Sequence, residues 1–309
     1  MARHPDKPIR IAVTGAHGQV VSALLDRAAQ PASGIELVTL ARPGLDLERP
    51  ETIAPALHAT RPDLVISAAA FTAVDAAETS RDQAMAINGV APGVLAAEAA
   101  RMGAPIIHLS TDYVFDGRKS GPYVESDPPH PATVYGETKL AGERAVAAAN
   151  PAHAVVRTAW VYAPRGKNFV LTMLRLAETR ERLGVVADQI GNPSYSLDIA
   201  DGLIAMARAM LRGEGAPGVY HMAGGHMTGG GTASWADFAE AIFDGSRRRG
   251  GPTAAVDRIA SAAYPTPAKR PANSQLDCTK LRDGFGIELP AWPSALERCL
   301  DQIFTDRRN

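Results

Sequence analysis

The stretch IRIAVTGAHGQVVSALL (residues 9–25) passes from a strand pattern to a helix pattern across two glycines. Ile9–Thr14 reads as a short apolar strand, and Val20, Val21, Leu24, Leu25 and Ala28 then recur at helical spacing. Between the two patterns stand Gly15 and Gly18. Glycines at such a turn let a pyrophosphate approach the helix N-terminus, whose unpaired N–H groups and dipole favour anions. A third glycine is expected three residues after Gly18, and Val21 stands there instead. That position serves helix–sheet packing more than phosphate contact, so the phosphate chemistry survives its loss. The stretch predicts the start of a dinucleotide-binding fold, provided the alternation continues.

It does continue. Glu36–Leu40, Leu64–Ala68, Pro105–Ser110 and Ala154–Arg157 read as further short strands, separated by Glu51–Thr60, a long Ala-rich stretch ending near Met102–Gly103, and a helix beginning near Tyr135. Apolar strands alternating with helices indicate an α/β protein with a Rossmann-type, doubly wound parallel sheet covered on both faces. Ligands of such sheets bind beyond the carboxyl ends of the strands. After about residue 160 the pattern loosens into Phe169–Arg180, Leu197–Arg212, Ser234–Phe243 and Pro293–Phe304 helices joined by Pro/Gly-rich connections. The expected division is a dinucleotide-binding domain over 1–160 and a smaller α/β, mainly substrate-binding region over 161–309, some of which returns to the first sheet. Ser234 with Asp237 reads as a helix cap, and Thr228–Thr232 (TGGGT) as a flexible loop, because it lacks the Lys-Ser/Thr of a phosphate loop.

The totals restrict function. A 309-residue chain with 46% hydrophobic and 21% charged residues is an ordinary globular composition, and its formal net charge of −1 offers no broad basic surface for nucleic acid. Arg247–Arg249 is the one compact basic run and reads as a solvated helix end. Two cysteines, Cys278 and Cys299, make no disulfide framework, and Cys299 falls on the apolar face of the last helix. The polar start MARHPDKPIR and the lack of a long apolar run predict a cytoplasmic protein without a membrane partner.

The informative residues follow strands. After the second strand comes Ala41-Arg42, where an acidic residue would hold the ribose 2′-hydroxyl of NAD; Arg42 instead suits the 2′-phosphate of NADP. The third strand ends in SAAAFTAVDAAE and the fourth in HLSTDYVFDG, and HPATVYGETKLAGE (130–143) carries Tyr135 and Lys139 four apart on one helix face. Alone, that spacing suits any amphipathic helix. With hydroxyl, phenol and ammonium groups converging on one sheet edge beside a phosphate loop, it suits proton transfer.

These segments resemble the extended short-chain dehydrogenases/reductases and, within them, the dTDP-4-dehydrorhamnose reductase group. STDYVFDG (110–117) and VYGETKLAGE (134–143) carry the resemblance, with AAAFTAVDAAE, RTAWVYA, NFVLTMLRLA, DQIGNP and RPANSQLD also matching. Val21, and the missing acid after the second strand, depart from the pattern; the latter favours NADPH, with NADH the alternative.

The resemblance implies reduction of a nucleotide-linked 4-keto-6-deoxyhexose. Thr111, Tyr135 and Lys139 would be the catalytic set: Tyr135 the proton donor, Lys139 lowering its pKa and holding the nicotinamide ribose, Thr111 holding the substrate carbonyl, with Ser110 turned to the opposite face. Gly18, Gln19 and Val20 would line the pyrophosphate, Asp46 and Leu47 flank the adenine, and Ala69, Ala70 and Thr72 lie along the cofactor. Thr72, Asp112, Tyr113 and Trp160 would form the sugar pocket, with Asp188, Gln189 and the segment 270–274, from Arg270 to Ser274, near the nucleotide sugar.

Structural roles compete with these: Trp160 as core, Asp112 and Asp116 as turn formers, Asn88 as a packing polar group, Arg270 as a surface ion pair. No metal is expected in the active site, and the expected assembly is a monomer or homodimer. A non-catalytic NADP-binding regulatory subunit, resembling that of methionine adenosyltransferase, and another nucleotide-sugar reductase or epimerase are the alternative functions.

Overall fold

The computed structural model describes residues 7–225 and 231–306. β1 (Ile9–Thr14) turns into α1 (Gln19–Ala28), β2 (Ile35–Leu40) leads to α2 (Ile53–Thr60), and β3 (Leu64–Ser67) enters a broken helical stretch. That stretch consists of α3 (Val74–Ala77), α4 (Arg81–Met85), a π turn at 86–90 and α5 (Ala91–Arg101). β4 (Ile106–Thr111), α6 (Val134–Ala149) and β5 (His153–Thr158) follow. All five strands pair in parallel, and β3 and β4 are buried along their whole length, as continuous apolar runs require when helices cover both faces.

The Ala-rich stretch is not one helix, for a local reason. Pro92 lacks the N–H that would close the turn back to Asn88. The backbone widens into a π turn there, and Asn88 uses its side chain to bond Phe71 N and O (2.8 and 3.1 Å) and Thr138 Oγ1 (3.2 Å). At Gly142 of α6 an added Cβ would stand 2.1 Å from Asn88 O, so the two helices meet backbone to backbone.

The second half runs β6 (Val161–Tyr162), α7 (Phe169–Ala177), β7 (Arg182–Val186), β8 (Ile190–Gly191), β9 (Ser194–Tyr195), α8 (Ser196–Leu211) and β10 (Gly218–His221). It continues with β11 (Ala233–Ser234), α9 (Trp235–Arg248), β12 (Ala255–Ile259), β13 (Asn273–Ser274), α10 (Thr279–Phe285) and α11 (Trp292–Asp306). β10 pairs in parallel with β5, giving the main sheet the order β10-β5-β4-β3-β1-β2. The order reverses at β1, with β2 on one side and β3 on the other, so a topological switch point opens beyond Thr14.

One face of the sheet packs α1 and α8 through Leu24, Ile199 and Leu203; the other packs α2, α5 and α6 through Leu57, Leu95 and Val146. A separate core joins α7, β7, α9 and α11 around Phe238, Phe243 and Leu300. Ser234 and Asp237 form a reciprocal capping box at the start of α9, as their spacing predicts. Of the Gly-rich run 228–232, residues 228–230 lie outside the described residues. Arg247–Arg249 do close α9, paired with Asp244, Glu297 and Asp301. Both cysteines are free and buried, and no helix among the described residues is long and apolar enough to cross a membrane.

Candidate active site

At the switch point, Thr14 Oγ1 accepts from Ala68 N and Ala69 N (both 3.0 Å), locking the ends of β1 and β3 together. Gly15 follows at φ +97°, a conformation open to glycine, with Ala69 Cβ 3.4 Å from where its own Cβ would stand. Gly18 caps α1 with no side-chain acceptor, and the first turn carries no acidic residue. Gln19 Oε1 is buried without a partner. An uncapped helix start of positive polarity behind a turn bounded by Gly15 and Gly18 fits a dinucleotide pyrophosphate.

Val21 is buried in the main core, its methyl 3.6 Å from that same Gly15 position. The branched residue is absorbed by packing and does not block the turn.

A cavity of about 450 Å³ runs from this loop along the strand ends. Gly18, Gln19 and Val20 wall one end; Ala70, Thr72, Thr111, Asp112, Tyr113, Tyr135, Lys139 and Trp160 wall the rest. Arg42, Asp46 and Leu47 do not reach its wall. Arg42 is exposed with its Nε 3.5 Å from Asp46, and Leu47 packs into the core beneath α2. Ala69 stands behind Gly15 rather than on the surface of the cavity.

α6 starts where Thr133 Oγ1 caps Gly136 N (3.1 Å), so Tyr135 and Lys139 lie in its first two turns. Gly136 allows this helix start to press against Tyr113: a Cβ there would come within 2.1 Å of Tyr113 O. The rings of Tyr113 and Tyr135 meet edge to face, 5.6 Å apart at 76°.

Burial holds the Tyr135 phenol above its ordinary 10, the Asp112 charge pushes the same way, and the Thr111 hydroxyl opposes both. The expected lowering by Lys139 is not seen. Lys139 Nζ donates to Leu109 O (2.6 Å) and lies 3.3 Å from His108 Nε2, while burial brings it down to about 8 against a favourable Glu143. Both side chains are therefore protonated at neutral pH.

Thr111 Oγ1 donates to Asp112 Oδ1 (3.1 Å) and accepts from Tyr113 N (3.2 Å). Ser110 turns the other way, into a buried bond with Glu143. Asp112 is buried, and burial raises its carboxyl to about 6, opposed by the Ser274 and Thr111 hydroxyls. Its proton uptake has a measurable consequence. The folded value lies above the ordinary 3.8, so the native chain binds the extra proton between about pH 4 and 6 and loses stability as pH rises through that window. Asp112→Asn is expected to raise the melting temperature by roughly 6–12 °C at about pH 7.5, a gap of two pH units being worth ~3 kcal/mol, and to leave it unchanged near pH 4. A melting difference that does not vary with pH would contradict this account.

A second cavity of about 480 Å³ adjoins the first and shares Tyr113 and Trp160 with it. Trp160 sits at φ +48°, unusual for so bulky a residue. It is held there by a stack on Trp235 (centroids 3.5 Å apart, 8° between planes) and by Gly191, where a Cβ would come within 2.5 Å of the indole. Trp160 is thus partly exposed wall between two cavities, not core.

Arg270 lines the second cavity. Its Nη2 bonds Asp75 Oδ2 (2.6 Å), and its Nη1 is buried without a partner. Gln189 is on the same wall, whereas Asp188 holds Ser261 N and Oγ and shapes the neighbouring turn. Asp116 is a turn former, accepting from Arg118 N. Among the described residues no group of three or more His, Cys, Asp and Glu side chains is placed to hold a metal.

Sequence reasoning missed Trp235, the Ser274 hydroxyl opposing Asp112, and the His108 contact to Lys139. Only the last left a trace: one His inside an otherwise apolar strand, PIIHLS.

The chain is similar to known proteins over nearly its whole length. The family model for the RmlD substrate binding domain matches residues 9–305. A dTDP-4-dehydrorhamnose reductase of Sinorhizobium fredii is 47% identical over 292 residues, 94% of this chain and 96% of that protein. One from Burkholderia thailandensis is 47% identical over 302 residues, covering 96% and 100%. Among solved structures, dTDP-4-dehydrorhamnose reductase from Bacillus anthracis in complex with NADP superposes with a TM-score of 0.86 at 32% identity, covering 96% of this chain and 99% of the other.

Proposed function

The chain belongs to the RmlD substrate binding domain family, and from the arrangement of its two joined cavities we propose that it reduces the 4-keto group of dTDP-4-dehydro-L-rhamnose to give dTDP-L-rhamnose, with NADPH as reductant. The observation that carries this reading is that Thr111, Tyr135 and Lys139 share one cavity wall with Gly18–Val20, while Tyr113 and Trp160 open onto a second cavity bearing Arg270. When bound, the reduced nicotinamide supplies the hydride taken up at the sugar C4.

The remaining chemistry belongs to side chains. Gly18 and Gln19 present the α1 N-terminus to the pyrophosphate. Thr111 donates a hydrogen bond to the C4 oxygen, exchanging Asp112 for the substrate as its acceptor. Tyr135, kept protonated by burial and by Asp112, delivers a proton to that oxygen as negative charge develops on it. Lys139 carries the positive charge one helical turn away and offers an N–H to the cofactor ribose. Trp160 and Tyr113 flank the sugar, and the unpartnered Nη1 of Arg270 suits a diphosphate oxygen.

The test is NADPH oxidation by the purified protein with enzymatically generated dTDP-4-dehydro-L-rhamnose, with the product sugar identified by NMR. Turnover to dTDP-L-rhamnose is expected. NADPH binding without oxidation would overturn the reading in favour of a regulatory subunit.

A further inference from the structure

Behind the cavity wall, a line of buried polar groups leads away from Lys139. His108, in the middle of β4, is fully buried, with its Nε2 3.3 Å from Lys139 Nζ and its Nδ1 3.0 Å from Ser67 Oγ at the end of β3. Ser67 is itself 1% exposed and Lys139 2%. Gly142 of α6 packs beside the ring, its Cβ position 3.4 Å from His108 Nε2.

An ammonium has three donors and no acceptor, so the imidazole nitrogen facing it must present a lone pair. Burial first, and the Lys139 charge second, push the ring well below its ordinary 6.5, in keeping with a neutral imidazole. With Nε2 accepting, Nδ1 carries the proton and donates to Ser67 Oγ. The direction Lys139→His108→Ser67 then follows. Leu109 O takes a second ammonium proton at 2.6 Å, leaving one for a ligand in the cavity.

We propose that His108, its tautomer set by the ammonium and its ring held by Ser67, is a positioning residue for Lys139, anchoring the ammonium so that its remaining N–H faces the bound dinucleotide. The inference rests on the reductase reading of the cavity. The other charged or titratable groups around Lys139 are Glu143 one turn further along α6, Arg157 of β5 bonded to Glu143, and Tyr135 and Asp112 on the cavity side. Of these, Glu143 favours the ammonium charge. None replaces the acceptor that His108 provides.

The experiment measures NADPH dissociation constants by fluorescence from about pH 6 to about pH 10 for wild type, His108→Leu, His108→Gln and Ser67→Ala. Wild-type affinity is expected to weaken as Lys139 loses its proton through about pH 8. His108→Leu should move that midpoint down by about one pH unit, weakening binding about twofold near pH 7 and about tenfold above about pH 9. His108→Gln, whose amide oxygen supplies an acceptor, should stay within about twofold of wild type, and Ser67→Ala should move the midpoint the same way as Leu but less.

A folded His108→Leu with the wild-type midpoint overturns the proposal. If His108→Leu does not fold, Ser67→Ala decides, and an unmoved midpoint overturns it equally. Wild-type protein that binds NADPH but turns over no keto-sugar defeats the reductase reading alone, since the midpoints still judge His108. Wild type that binds no NADPH defeats both.

Discussion

Tyr135→Phe is expected to lower kcat with dTDP-4-dehydro-L-rhamnose by roughly 10²- to 10⁴-fold, the usual worth of a positioned proton donor. NADPH affinity should change little. The ring survives the substitution, so its edge-to-face contact with Tyr113 at 5.6 Å is retained. Thr111 keeps both Asp112 and Tyr113 N as partners, so no buried polar group is stranded. The loss should therefore appear in kcat and in kcat/KM together, the signature of an interaction made only as the oxygen gains charge. Steady-state kinetics at saturating NADPH checks it. Activity within a few-fold of wild type would mean that another group protonates the sugar oxygen, leaving Tyr135 a wall residue.

The parts of the fold legible in the sequence are those whose local composition and tertiary environment agree. β1 occupies the span its apolar run predicts, and β2 to β5 depart by a residue at their ends, because strands buried on both faces must be continuously apolar. β10 was not legible as a member of the main sheet. GVYH is four residues long and contains a glycine. It pairs on one side only, with a strand some sixty positions earlier. The broken Ala-rich stretch misled in the opposite way, since helix propensity there is overridden by Pro92 and by the Asn88 bonds to Phe71.

The same division holds in the site. Thr111, Tyr135 and Lys139 lie in two short segments with recognisable chemistry. Ser67 with His108, Ser274 with Asp112, and Trp235 with Trp160 are juxtaposed only by strand order or by the packing of α9, which no local pattern encodes.

One such juxtaposition carries the second large effect. Glu143, on α6, accepts from Arg157 Nε and Nη2 of β5 (2.9 and 2.7 Å) and from Ser110 Oγ (2.5 Å), with both charged side chains at 5% exposure or less. Glu143→Ala is expected to destabilise the protein by about 3–5 kcal/mol, because it leaves the Arg157 charge buried and unpaired. At ~2–4 °C per kcal/mol for a chain of this order, the melting temperature should fall by roughly 10 °C.

A plain contact-energy account predicts that replacing both partners leaves the loss in place, since either single replacement already breaks the contact. Desolvation predicts the reverse: Glu143→Leu with Arg157→Met removes both charges from the interior and should regain most of the loss, short of ~1 kcal/mol for the stranded Ser110 hydroxyl. Thermal melts of the wild type, Glu143→Leu, Arg157→Met and the double variant close a cycle that separates the accounts. Should the double variant melt at the sum of the single losses, the cycle gives no coupling between Glu143 and Arg157, and the unpaired charge is not the source of the single losses. A double variant near wild type in stability but defective in binding NADPH at alkaline pH would identify what the ion pair maintains, the Glu143 charge that favours protonated Lys139 at the cavity wall.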